Sequence, residues 1–162
     1  MKKLFLNLTL ITLGFFTSCD SFEEGEEGED GIWGDIIKFS TTELNLNSAE
    51  TTEIVTSKGD WWWILNDITI DNKTYNTYPS SPDTATVRVE RGRIFNPSPN
   101  AIYDEGADQE IKKIIGEWFT VTKESTNKLV IHATKNDSGK ERFFYFPVEA
   151  GNYFTGIKVT QK

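Results

Sequence analysis

The side chains that most often carry chemistry are scarce in this chain. His132 is its single histidine and Cys19 its single cysteine. A metal site or a nucleophile and base pair needs several convergent groups, so few catalytic classes stay open. In KLVIHATK, His132 alternates with Leu129, Ile131 and Ala133, which reads as the more polar face of a strand. Carboxylates are abundant, but a glycosidase needs two of them held about 5 to 9.5 Å apart in a cleft. The acidic run YDEGADQE offers Asp104, Glu105 and Asp108 as calcium oxygens, without the regular spacing of a calcium loop, and reads as a solvated loop. The expectation is a non-catalytic protein with no metal and no cofactor.

The other chemically distinctive residues are aromatic. GDWWWILND, Gly59 to Asp67, places three tryptophans side by side. On a strand, neighbouring side chains point to opposite faces, so Trp61 and Trp63 share one side and Trp62 takes the other. Exposed aromatic surface either binds something or is covered. Flat rings suit sugars, whose axial C–H groups stack on the negative face of an indole or phenol.

The elements that would hold these rings are strands. IIKFS, ELNLN, TEIVTS, WWWIL, TATVRVE, WFTVTKE, KLVIHATK, RFFYFPVE and GIKVTQ alternate in period two and are broken by SKGD, NDSGK and EAGN. The pattern predicts an all-β antiparallel sandwich. DQEIKKIIGEW alone has helical spacing, with Ile111, Ile114, Ile115 and Trp118 on one side, and is either a short helix or irregular.

The chain also carries an address. MKKLFLNLTLITLGFFTS reads as an export signal, with Lys2 and Lys3 ahead of an apolar run from Leu4 to Phe16 that is too short to span a bilayer. The following FTSCD resembles the lipobox of bacterial lipoproteins, with Phe16 in place of the more usual leucine; that resemblance implies lipidation of Cys19 and an anchor in the outer membrane. Seven of the eleven residues from Asp20 to Asp30 are acidic, so the segment after Cys19 reads as a flexible tether reaching to about residue 33. It is a plain spacer, or it resembles the surface-export signal of lipoproteins in the Bacteroidetes, which implies a surface-exposed rather than periplasm-facing domain. Removing residues 1 to 18 takes two of the 17 basic side chains and none of the 25 acidic ones, leaving a net charge of −10. Nucleic acid and anionic headgroups are poor partners for that charge.

FSTTELNLNSAETTEIVTSKGDWWWI, GEWFTV and KLVIHATKNDSGKERFFYFPVEAGNYFTGIKVTQ together resemble the BACON domain, an immunoglobulin-like sandwich of exported proteins in the Bacteroidetes. The resembling positions are Trp61, Trp118, Asn136, Arg142 and Val159 to Gln161. Residues 67 to 116 do not fit and read as an insertion of about fifty residues that adds strands or covers a face, with a strand at Thr84–Glu90 and a loop at Asn96–Asn100. Asn136 and Arg142 read as structural, tying a turn to a strand edge. If Trp61 takes the place of the family's core tryptophan, Trp63 and Leu65 also point inward, and Trp62 and Ile64 point outward.

The expected core is then Leu44, Leu46, Ile54, Trp61, Trp63, Phe119, Val121, Leu129, Ile131, Phe144, Phe146, Val148, Ile157 and Val159. In an immunoglobulin-like sandwich the middle and penultimate strands share a sheet. Trp62, Phe143 and Tyr145 would therefore share an outer face, forming a glycan- or glycoprotein-binding platform or, if the insertion covers them, a second small core. A structural role bound to a partner protein of the envelope is the competing function. Asp83-Thr84-Ala85 resembles the short O-glycosylation acceptor of the Bacteroidetes, with Thr84 as acceptor.

Overall fold

Alternation of β-branched and aromatic residues sets the strands, and their pairing decides which face each one buries. The computed structural model describes residues 34–79, 81–92 and 110–162. Cys19, the tether, the Asn96–Asn100 loop and Asp104, Glu105 and Asp108 lie outside the described residues. The strands are β1 (Glu43–Leu46), β2 (Thr51–Thr56), β3 (Trp63–Ile64), β4 (Asp67–Ile70), β5 (Lys73–Asn76), β6 (Arg88–Arg91), β7 (Ile111–Ile115), β8 (Phe119–Ser125), β9 (Lys128–Ala133), β10 (Arg142–Ala150) and β11 (Tyr153–Gln161). They form two sheets, one ordered β1-β11-β10-β4-β5 with β3 also on β10, the other β2-β9-β8-β7-β6. All pairs are antiparallel except β1 with β11. The architecture is an immunoglobulin-like β-sandwich, as the alternation predicts.

Between the sheets lies an aromatic core. Phe119 of one sheet stacks on Phe144 of the other, with ring centroids 3.7 Å apart and planes within 7°. Trp118 meets Phe144 edge-on at 5.3 Å. Val121, Leu129, Ile131, Phe146, Val148, Ile157 and Val159 are buried around them, and Leu44 packs partly against the same core. Ile54 departs from expectation at 56% exposed. Val55 beside it takes the inner face of edge strand β2, and adjacent residues cannot both point inward.

The tryptophan register is the reverse of the one expected. Trp62 and Ile64 are buried at 3% exposure each, while Trp61 is 46% exposed and Trp63 half-buried. Ile64 pairs with Val148 and Trp63 with Glu149, so the inward set of β10 draws Ile64 in and sends Trp63 out. β3 and β4 take successive stretches of β10, and the Leu65 N–H donates to the Pro147 carbonyl at the break between them, 2.9 Å. The Pro147 nitrogen faces the same interrupted side, where a missing N–H costs no ladder bond.

Ile111–Ile115, with its helical spacing, is strand β7. The pairing of β6 with β7 shifts register between Glu90 and Arg91, so Glu90 faces Lys113 while Arg91 faces Ile111 and Lys112 is left over. That bulge lets Ile111 and Ile114, three apart, both face the core and mimic a helical period. The strand expected at Thr84–Glu90 begins later. Pro82–Ala85 forms a 3-10 turn whose cap, Ser81, accepts from the Asp83 N–H, and only Arg88–Arg91 pairs.

The described part of the insertion therefore adds strands to both sheets. β4 and β5 close a two-residue hairpin through Asp71 (φ 44°) and Asn72 (φ 70°), residue types that tolerate the left-handed region. Arg91 ties the two extended edges together, donating to Asn66 Oδ1 at 2.6 Å and the Thr77 carbonyl at 3.0 Å.

Candidate binding face

Along β10, Phe144, Phe146 and Val148 point inward and Phe143, Tyr145, Pro147 and Glu149 outward. Pairing carries that outer face sideways. Glu149 lies between Trp63 of β3 and Phe154 of β11, so these three side chains form one row across the sheet. Trp61 meets Trp63 edge-on, centroids 5.5 Å apart at 80°. Phe154 is 62% exposed.

Toward the other end of the face the rings are engaged locally. Tyr145 lies over Gly156, where a Cβ would collide with the ring, so the glycine lets the phenol lie flat across β11. The Lys158 ammonium sits 5.1 Å above the Phe143 ring, with Glu43 opposite Lys158 on β1. Phe143 and Tyr145 therefore share the outer face, as expected, whereas Trp62 does not join them. Its indole N–H donates to Ser57 Oγ at 3.0 Å, Phe39 meets its ring edge-on at 5.1 Å, and Gly59 permits the close chain approach, since a Cβ there would strike the Ile36 carbonyl. Trp62 is a core residue, which removes it as a ligand-binding candidate. Trp61, Trp63, Glu149 and Phe154 take over the exposed end. Phe154 was legible in NYFTGIKVTQ, because inward Ile157 and Val159 force even positions outward.

Behind the face, Lys123 reaches from the inner side of β8 to the end of the core. Its ammonium pairs with Glu110, donates to the Trp62 carbonyl at 2.5 Å and lies 4.0 Å over the Trp62 ring. Burial pushes the Lys123 amine down from its ordinary range, and the hydrogen bond and charge of Glu110 oppose that shift. Burial also pushes the Tyr153 phenol up; a hydrogen bond with Thr155 opposes this and the Asp35 carboxylate reinforces it.

Arg142 and Asn136 are structural, as their positions suggest. Arg142 donates to Gln161 Oε1 at 2.7 and 3.0 Å and to the Thr134 carbonyl at 2.8 Å, with its guanidinium 4.3 Å over Trp118. Gln161, fully buried, donates on to the Ala49 and Thr134 carbonyls. Asn136 closes the adjoining turn by donating to the Lys140 carbonyl at 2.7 Å. His132 lies on an outer strand face with Nε2 3.0 Å from Glu50 Oε1. Thr84 sits in the 3-10 turn, its hydroxyl donating to the Ser81 carbonyl at 2.9 Å. Among the described residues no group of three or more His, Cys, Asp or Glu side chains is placed to hold a metal, and no helix is long and apolar enough to cross a membrane.

Fold and face together define an immunoglobulin-like sandwich carrying an aromatic outer surface. No family model and no curated protein matches the chain. Among solved structures it is similar to an NMR structure of a protein from Bacteroides thetaiotaomicron, at 20% identity and a TM-score of 0.55, covering 83% of this chain and 92% of that one. That likeness is one of fold.

Proposed function

We propose that this chain is a non-catalytic lipoprotein of the cell envelope whose sandwich binds glycans or glycoproteins through the outer face of β3, β10 and β11. The observation that carries the reading is the row Trp63–Glu149–Phe154, with Trp61 against Trp63 and Phe154 62% exposed. Aromatic surface left open on a folded domain marks an interaction site, and rings flanking a hydrogen-bond acceptor suit a sugar. The resemblance to the BACON domain at Trp118, Asn136, Arg142 and Gln161 points to the same class, while Trp61, the position of that family's core tryptophan, is 46% exposed here.

Phe154→Ala and Trp63→Ala are expected to keep the fold and each weaken glycan binding about tenfold, the scale of one lost stacking contact. Affinity electrophoresis against a panel of host and plant polysaccharides measures it. A wild-type protein retarded by none of them ends the glycan reading.

The lipobox-like FTSCD and the acidic run after it support an anchor through Cys19 and display at the surface. Cys19→Ala is expected to move the protein out of the membrane fraction, and protease treatment of intact cells is expected to remove the wild-type domain. Unchanged membrane fractionation of the variant would overturn the anchor.

A further inference from the structure

We infer that the row Trp63–Glu149–Phe154 takes uncharged pyranose chains and rejects acidic polysaccharides, with Glu149 as the residue that determines this specificity. The inference rests on the glycan reading above. Neighbouring strands lie about 4.8 Å apart, so the backbone positions that carry the two rings are about 10 Å apart, with that of Glu149 between them. The pairing that sets this spacing is Trp63 with Glu149 and Glu149 with Phe154, all on the face opposite buried Val148.

A carboxylate in that position accepts hydrogen bonds and donates none, so it matches vicinal sugar hydroxyls. It repels a uronate or a sulfate placed over the same rings. Among the described residues no lysine or arginine forms an ion pair with Glu149. Lys158, on the same face, lies at its other end over Phe143 and opposite Glu43. Lys58 and Asp60 both precede the tryptophans, so the chain leading to the row adds no net charge.

The test uses the full-length protein in detergent with five probes: laminarin, cellohexaose and mannan as neutral glycans, polygalacturonate and heparin as acidic ones. Each is titrated by calorimetry at low and moderate salt. Wild type is expected to bind at least one neutral probe, with little salt dependence, and neither acidic one. Glu149→Gln, which keeps shape and loses the charge, is expected to weaken neutral binding about fivefold. Glu149→Lys is expected to weaken it more than tenfold and to create salt-sensitive binding of polygalacturonate or heparin. Unchanged melting temperatures show that both variants fold, as expected for an outward side chain.

Acidic binding by wild type, or neutral binding indifferent to both substitutions, overturns the inference and leaves the glycan reading standing. Binding of no glycan overturns both. Capture of oligolysine in place of any sugar, lost in Glu149→Gln, does the same and reassigns the row to a cationic protein partner.

Discussion

Replacing Trp62 with alanine is expected to lower the unfolding free energy by about 3 to 5 kcal/mol, the range for deleting a buried aromatic. Trp62 is 3% exposed, and three separate partners hold it: Ser57 at its indole N–H, Phe39 at its edge and the Lys123 ammonium on its face. Truncation leaves a cavity and strips the Lys123 ammonium of the ring beneath it. Such a loss is a large part of the stability of a domain this size. Trp61→Ala, one residue earlier and 46% exposed, is expected to cost about 1 kcal/mol or less. Urea denaturation of the two variants side by side measures the contrast. Equal shifts, or a larger one for Trp61, would mean that the inward tryptophan has been misassigned.

The second large effect concerns the buried ion pair. Glu110→Ala is expected to destabilise the domain by about 3 to 5 kcal/mol, because it strands a buried ammonium without its counter-charge. Lys123 has a side chain only 2% exposed, and the Trp62 carbonyl and ring together cannot offset its desolvation. The double variant Lys123→Met with Glu110→Leu is expected to recover most of that loss, since apolar side chains of similar volume fill the same space without desolvating charge.

The pH dependence gives an independent check. Burial holds the Lys123 amine below its unfolded value, so the folded protein releases this proton first as pH rises. Between the two values the unfolded chain binds more protons, and this group's contribution makes stability increase with pH. Glu110→Ala removes the opposing charge, so the increase is expected to begin at a lower pH than in wild type. Denaturation midpoints taken from neutral to alkaline pH would show it, and a midpoint gap between variant and wild type that stays constant throughout that range would contradict it.

Strands β8 and β9 were legible because each offers one dominant apolar parity. In FTVTKES and KLVIHA the inward set is fixed by alternating apolar residues whose neighbours are mostly polar. In RFFYFPVEA both parities carry aromatic rings, and Glu149, set against Val148 and Ala150, marks the outward one. Gln161 lies in the same kind of alternation as Ile157 and Val159, yet a buried amide is stable only because Arg142, Ala49 and Thr134 satisfy it. Arg142 read as structural from the sequence; the partners that make it so, Gln161, Thr134 and Trp118, lie on other segments. Lys123 shows the opposite failure. Its parity on β8 is inward, and a lysine there reads as an exception until Glu110, immediately before neighbouring β7, supplies the counter-charge.

By itself, then, the sequence determined the all-β class, most of the strands and the burial of Phe119, Phe144, Phe146, Leu129 and Ile131, because period-two alternation is a local property of the chain. Tertiary structure alone decided which tryptophan of GDWWWILND is inside. Both Trp61-Trp63-Leu65 and Trp62-Ile64 are apolar sets, so alternation is satisfied either way, and a shift of one residue exchanges the faces. Pairing of Ile64 with Val148 breaks the tie. The same holds for Ile111 and Ile114, whose spacing of three fits a helix until a bulge opposite Arg91 turns both toward the core. Long-range pairing, invisible to any local window, chose both registers, and with them it moved the exposed aromatic surface from Trp62 to the row of Trp63, Glu149 and Phe154.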